Sequence, residues 1–255
     1  MTNERLQKVL RDAGFGSRRR CETLIESGAV VINGRMVTEM GVQVDPTSDD
    51  IRVDGRRVKR QPLRYVMVNK PKGFACTNNP EEGHKRVVDI VPEADVLLHT
   101  VGRLDVDSEG LVLLTNDGDL TAVLTHPRYG VEKTYRVTVR GELDDESLEK
   151  LRHTTHLSEG PAQPDRATLV FRDRQHTVLE VVLTEGRNRE IRRILARLDF
   201  KVKKLKRIAF GSLSVRGLGT GQARPLKRSE IKQLKDLAAR ATRVRRRPKP
   251  KGPKS

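Results

Sequence analysis

Apolar residues at Leu6, Val9, Leu10 and Ala13 recur at the three- and four-residue spacing of one helical face, and Gly14-Phe15-Gly16 stops the run. Ser17 is placed to cap a second helix whose inner face is Cys21, Leu24 and Ile25. The period then shortens. Ala29 to Ile32 and Arg35 to Val37 flank Asn33-Gly34, and Ile51 to Val53 and Arg56 to Val58 flank Asp54-Gly55, which predicts two hairpins with two-residue turns. Gln61-Pro62 breaks the pattern and begins a linker, so residues 1–61 read as a compact module and 62–240 as a larger domain. Within the larger domain, Tyr65 to Val68 reads as a strand, Leu111 to Leu114 as a buried strand bounded by turn signals, and Val178 to Leu183 as another. Tyr135, Val137 and Val139 alternate with polar residues, as in a half-buried strand; Ile191, Ile194, Leu195 and Leu198 form a helical stripe. A last helix is expected from a Ser229 cap through Ile231, Leu234 and Leu237. Strands and helices do not alternate regularly, so the fold class is α+β rather than a doubly wound parallel sheet. No acidic residue follows Asp236, and residues 241–255, with Pro248, Pro250 and Pro253 among lysines and arginines, read as a disordered basic tail.

Charge narrows the classes of partner. Lys+Arg outnumber Asp+Glu by 51 to 34, a formal net charge of +17, and such a field attracts polyanions, nucleic acid above all. A membrane is the competing partner, but no apolar run approaches the ~20 residues a spanning helix needs. The start of the chain lacks the apolar core of a signal peptide. Two cysteines, Cys21 and Cys76, suggest neither a metal cluster nor a disulfide framework, which points to a reduced, cytosolic protein with no metal. Nothing in the pattern demands a dimer.

Two regions carry candidate chemistry. Arg18, Arg19 and Arg20 occupy the first turn of a helix, where the macrodipole disfavours cations. With Lys8 and Arg11 nearby, they form a cluster suited to phosphates. The second region is Gly102-Arg103-Leu104-Asp105-Val106-Asp107-Ser108-Glu109-Gly110, which sets Asp105 beside Arg103 in a glycine-bounded turn just before the buried strand. Asp105 can be read as a turn aspartate, as the start of a calcium loop, or as a lone catalytic carboxylate. The calcium reading fails at the twelfth position, which is Asn116 rather than a bidentate glutamate, and no amphipathic helices flank the loop.

The loop resembles the catalytic loop of pseudouridine synthases, whose nucleophilic aspartate lies in a Gly-Arg-Leu-Asp sequence. The residues from Arg5 through Ser17-Arg18-Arg19, Gly28 and Asn33-Gly34 resemble the S4-type RNA-binding domain. Asn69-Lys70-Pro71-Lys72-Gly73 resembles the family's first motif, and Leu183-Thr184-Glu185-Gly186-Arg187-Asn188-Arg189-Glu190-Ile191-Arg192-Arg193 its third. Together they are similar to the ribosomal small-subunit/large-subunit branch of the family, over Arg5 to about Leu237. That resemblance implies a small N-terminal S4-like domain, then a catalytic domain with a mixed, mainly antiparallel sheet and a central active-site cleft. It implies isomerisation of uridine to pseudouridine with no cofactor: uracil is detached from its ribose, rotated and rejoined through carbon five. Asp105 would either attack the anomeric carbon or deprotonate the ribose, and Tyr135 would stack on the flipped uracil. The first motif would support the floor of the site.

An ionised, largely buried Asp105 needs a cation within a few ångströms. With that third segment on a helix whose apolar face is centred between Ile191, Ile194, Leu195 and Leu198, Arg193 points roughly opposite the face, Arg189 mostly outward, and Arg192 lies at the border. Arg192 is also the residue that matches the family's basic position. Arg103, Arg187, Arg189 and Lys204, with Lys8, Arg18, Arg19 and Arg20, are the expected RNA contacts. Between Arg187 and Arg207 there are ten basic and two acidic residues, and Lys201, Lys203, Lys204, Lys206 and Arg207 read as an RNA-facing wall or a solvated strand edge. The Glu-Gly-Arg-Asn-Arg-Glu wording resembles the large-subunit enzymes more than the small-subunit one. The expected partner is thus ribosomal RNA, 23S rather than 16S, or a large-subunit assembly intermediate. The rival functions are a non-catalytic RNA-binding assembly factor and a DNA-binding protein.

Overall fold

The computed structural model describes residues 3–79, 83–91 and 95–246, which divide into two compact units. In the first unit, α1 (Leu6–Asp12) and α2 (Arg18–Glu26) bury Leu6, Val9, Leu10, Cys21 and Ile25 with Val30, Ile51 and Val53 of a small sheet. That sheet is antiparallel in the order β2-β1-β3-β4, from β1 (Val30–Ile32), β2 (Arg35–Val37), β3 (Ile51–Val53) and β4 (Arg56–Arg57). Asn33 and Gly34 have φ of 49° and 81°, both left-handed, so the β1–β2 turn twists with its strands. Ser17 caps α2 as expected, its hydroxyl accepting from the Arg20 N–H at 3.2 Å. The unit extends past residue 61 to Arg64 and takes in residues 95–98 and 116–118. The Asn116 side chain explains the extension, accepting from the Arg64 N–H at 2.8 Å and donating to the Pro62 carbonyl at 3.0 Å.

The second unit is built on one nine-stranded sheet. Its strands are β5 (Tyr65–Lys70), β6 (His99–Val101), β7 (Glu109–Thr115), β8 (Lys133–Arg140), β9 (Arg166–Arg172), β10 (His176–Leu183), β11 (Val202–Phe210), β12 (Leu213–Ser214) and β13 (Ala223–Pro225). The order is β9-β10-β8-β11-β7-β5-β13, with β6 added to β7 and β12 to β11. Every pairing is antiparallel except β7 with β11, which run parallel where Glu109 faces Lys206 and Gly110 faces Arg207. Gly110 has φ +109°, and a Cβ there would lie 2.2 Å from the Arg207 carbonyl oxygen, so only glycine permits this approach.

Burial follows the sequence pattern. Each residue of β5 is buried, whereas β8 alternates inward Lys133, Tyr135, Val137 and Val139 with more exposed neighbours. Tyr65, Met67, Leu111, Leu113 and Phe210 form a core with Leu120 and Leu124 of α3 (Gly118–Thr125). Beyond α4 (Asp145–Arg152) and α5 (Glu190–Ala196), α6 (Arg228–Arg246) closes that core with Leu234 and Ala238. No helix of the described residues is long and apolar enough to cross a membrane.

Three expectations change. Arg207 is only 2% exposed and β11 lies between β7 and β8, so the basic segment is neither an edge nor uniformly an RNA-facing wall; Lys203 and Lys204 face out while Arg207 faces in. The last helix starts at Arg228, with Ser229 inside it, and its first turn is capped by Glu230, which accepts from the Lys227 N–H at 2.7 Å. It also runs to Arg246, into the stretch expected as a tail, because alanines and arginines favour helix and the first proline is Pro248. The rest of the expected tail, residues 247–255, lies outside the described residues.

Glu230 accepts from both terminal nitrogens of Arg224 at 2.8 and 2.7 Å, and this pairing holds its carboxyl at about 2. A carboxylate depressed by folding contributes stability above its unfolded value near 4.5 and loses it as pH falls toward 2. Glu230→Gln should therefore lower unfolding stability at pH 7 by about 1–2 kcal/mol. The wild-type advantage should shrink between pH 4.5 and about 2, which thermal unfolding of the two proteins across that range would check.

Candidate active site

The Asp105 loop is held from below by the segment that follows β5. Lys70 is fully buried, and its ammonium donates to the carbonyls of Phe74 at 2.7 Å, Pro71 at 3.1 Å and Val106 at 3.4 Å. The Gly73 N–H donates to the same Val106 carbonyl at 2.7 Å. Burial pulls the Lys70 pKa below its ordinary value, against the opposing pull of Cys76, Asp107, Asp105 and Glu109. The Ser108 N–H then closes a turn onto the Asp105 carbonyl at 3.0 Å, and β7 begins. Within Asn69-Lys70-Pro71-Lys72-Gly73, Lys70 and Gly73 thus brace the Asp105 loop through the Val106 carbonyl, and Lys72 and Gly73 line the larger of the two cavities beside Asp105.

Asp105 stands on the wall between two cavities and keeps 30% of its side chain exposed. The smaller, about 270 Å³, is lined by Tyr135, Ser108, Leu183, Arg187 and Asn188, among others. The larger, about 540 Å³, lies over Lys72, Gly73, Cys76, Thr77 and His84. Arg103, Leu104 and Arg189 border both. Tyr135 reaches the smaller cavity from β8, where a register shift against β11 falls between Thr134 and Tyr135. It is buried, on the inward face of the strand.

The cation beside Asp105 is not the expected one. Arg189 lies 3.6 Å from the Asp105 carboxylate and donates to both oxygens of Asp107, at 3.0 and 3.2 Å. Arg192, 13% exposed, pairs instead with Asp107 at 3.2 Å and donates to the carbonyls of Val202 and Asp107. The reason is local. Arg189 has φ +48° and precedes the first residue of α5, so a helical wheel does not describe where its side chain goes. Asp107 is the residue that sequence reasoning passed over. Burial pushes its carboxyl up, but the Arg189 hydrogen bonds and the charges of Arg192 and Arg189 outweigh this and hold it below the ordinary range. The available signal was spacing: two carboxylates two residues apart in one short turn lie close enough to call for more than one guanidinium.

The remaining candidates divide. Arg103 is exposed at the mouth of both cavities. Arg187 lines the smaller one, held by Glu185 at 3.1 Å and the Gly160 carbonyl at 3.0 Å. Its N–H is capped by the buried Glu190 carboxylate at 3.0 Å. Lys204 faces outward on β11, 3.4 Å from Glu109. In the first unit, Lys8 pairs with Glu4 at 3.2 Å, while Arg18, Arg19 and Arg20 are exposed. Lys133, also missed, is a buried ammonium donating to the carbonyls of Val131, Thr184 and Glu185; burial, seconded by the Arg207 charge, pushes it down to about 8. Among the described residues, no group of three or more His, Cys, Asp or Glu is placed to hold a metal ion.

Residues 64–197 match the family described as RNA pseudouridylate synthase, and residues 4–51 match the S4 domain. The chain is 42% identical over 237 residues to ribosomal large subunit pseudouridine synthase B of Bacillus subtilis, covering 92% of this chain and 97% of that protein.

This chain belongs to the RNA pseudouridine synthases.

An uncharacterized RNA pseudouridine synthase of Aquifex aeolicus is 38% identical over 235 residues, covering 92% of this chain and 94% of its own. A solved pseudouridylate synthase superposes with a TM-score of 0.64 at 31% identity, over 90% of this chain and 99% of the other. As a synthase, the protein is an isomerase of uridine in RNA, and the S4 domain precedes its catalytic domain.

The ion-pair chain Arg192–Asp107–Arg189–Asp105 makes Asp107 the residue on which both guanidiniums depend. Asp107→Asn should lower isomerisation by about tenfold or more, the worth of one or two charge-assisted hydrogen bonds. Arg193→Ala should cost less than about threefold, because Arg193 pairs with Glu159 and Ser158 and borders neither cavity. Equal losses in a single-turnover assay would contradict this arrangement.

Proposed function

We propose that this synthase converts uridine to pseudouridine in ribosomal RNA, and specifically in large-subunit RNA. The observation that carries the reading is the position of Asp105: one carboxylate, flanked by Arg189, on the wall of a 270 Å³ cavity that also holds Tyr135. A base turned out of its stack into that cavity meets a carboxylate at its sugar end and an aromatic side chain beside it. Turning it out costs a few kcal/mol, which contacts along the rest of the RNA must offset. Arg103, Arg187, Arg189 and Lys204 around the catalytic domain, with Lys8, Arg18, Arg19 and Arg20 in the S4 domain, suit that task.

In this reading Asp105 opens the reaction, by attack on the anomeric carbon or by removing a ribose proton. Tyr135 packs against the detached uracil. Arg189 is the cation adjacent to Asp105, and Arg192 acts through Asp107 in the resting enzyme. The large-subunit assignment is supported by the named relatives, which include synthase B of Escherichia coli O157:H7 at 37% identity over 92% of this chain. The protein then works in the cytoplasm, as a monomer, on 23S RNA or on an assembling large subunit.

Pseudouridine mapping of ribosomal RNA from cells lacking the protein tests this directly. One large-subunit site should lose its modification, and wild-type protein should restore it. Asp105→Asn should not restore it, while binding RNA within a few-fold of wild type, since only one negative charge is removed. An Asp105→Asn protein that still modifies RNA would sink the assignment of Asp105, and a lost site in small-subunit RNA would redirect the substrate.

A further inference from the structure

Ser108 is among the residues lining the smaller cavity and has no task in the scheme above. It is 1% exposed, and its hydroxyl has no hydrogen-bond partner among the described residues. The backbone around it is fixed. Its N–H closes the turn onto the Asp105 carbonyl at 3.0 Å, and Gly110, two residues on, is pressed against the Arg207 backbone. A hydroxyl taken out of water and left unpaired is a net cost that alanine at the same position would not carry. Buried polar groups in folded proteins are mostly bonded, so an unpartnered hydroxyl on a residue that lines a substrate cavity calls for a partner that arrives from outside. A serine hydroxyl can donate one hydrogen bond and turns freely to find its acceptor.

We propose that the Ser108 hydroxyl contacts the substrate, donating to one carbonyl of the uracil base before that base turns and to the other after it. The inference rests on the pseudouridine-synthase reading of the same cavity. In the isomerisation the N1–C1′ bond breaks and a C5–C1′ bond forms; C5 gives up its proton and N1 takes one up. Between the two events the base rotates half a turn about the axis through N3 and C6. That rotation exchanges N1 with C5 and, with them, O2 with O4. A fixed donor beside either oxygen's place therefore faces a carbonyl before the turn and another after it. Ser108 thus meets an acceptor in both the starting and the turned arrangement of the free base, which favours those two arrangements over tilted ones within the cavity that Asp105 and Tyr135 also line. The arrangement also selects uracil, because cytosine brings an amino group to one of the two places, where a donated hydrogen bond is lost.

The test uses the full chain and unmodified large-subunit ribosomal RNA from cells lacking the protein. Wild type and Ser108→Ala are compared in three measurements: kcat/KM for isomerisation, thermal unfolding without RNA, and binding to an RNA fragment with an abasic residue at the target. Ser108→Ala should lose about tenfold in kcat/KM, the order of one hydrogen bond. It should unfold at the wild-type temperature or above it, and bind the abasic RNA as wild type does. Wild-type turnover by the variant overturns the inference. So does a lowered unfolding temperature, or weaker binding of the abasic RNA, since either would make the hydroxyl a support of the fold or of the backbone contacts. A wild-type protein that isomerises no uridine in this RNA overturns the reading on which the inference rests, which is a different result from an active wild type matched by its variant.

Discussion

The approach of the Gly110 backbone to Arg207 decides where the active site can form. The same Arg207 pairs with Gly110 on one side and with Tyr135 on the other, so a single residue of β11 stands between the loop that carries Asp105 and the strand that carries Tyr135. With a side chain at 110, β7 would be driven off β11, and Asp105 would leave the cavity it shares with Tyr135. The parallel pairing is short, two residues in an otherwise antiparallel sheet, and it occurs at the end where the catalytic loop enters. Arg207 reinforces it from inside, its Nε donating to the Leu111 carbonyl at 2.7 Å and its guanidinium lying 5.2 Å from the centre of the Phe210 ring.

Charge is layered around this junction. Behind it are three buried cations, Lys70, Lys133 and Arg207, tied mainly to backbone carbonyls rather than to carboxylates. In front are Asp105 and Asp107 with the guanidiniums of Arg189 and Arg192. Carbonyl-bound cations brace loops without consuming the acids that the chemistry needs, though desolvation still penalises them, as the Lys133 ammonium at about 8 illustrates. The strong positive excess of the chain, 51 basic residues against 34 acidic, can therefore coexist with a catalytic loop whose two carboxylates are matched by only two guanidiniums.

The elements that were legible in the sequence are those set by local rules. Alternation at Tyr135, Val137 and Val139 corresponds to an alternately buried strand, and Asn33-Gly34 forms its turn with both residues at positive φ. Ser17 caps α2 because N-cap chemistry is local. Arg189, rather than Arg192, lies beside Asp105 because it precedes α5 in a left-handed conformation, where the helical phase does not apply. Arg207 was taken for a surface cation because composition cannot tell which lysine or arginine in a run faces inward; that depends on strand neighbours from β7 and β8, remote in sequence. Ser229 lost the cap to Glu230 because Glu230 also has Arg224, four residues before the helix, to fix it. Motif wording singled out Asp105 and Tyr135, which line one cavity, and it included Lys70; the carbonyl contacts of Lys70 and Lys133 and the ion pairs of Asp107 depend on residues outside the motifs that name them.

The Val106 carbonyl, which receives both the Lys70 ammonium and the Gly73 N–H, also matters for how the protein is read by genetics. A screen for lost modification would return changes at Lys70 and Gly73 alongside Asp105. The mutational map would draw an active site larger than the surface that meets RNA. Alleles of the two segments would show strong epistasis, because each reports on the same oxygen atom. Inheritance would treat the first motif and the Asp105 loop as one locus of function, although about thirty residues of chain separate them.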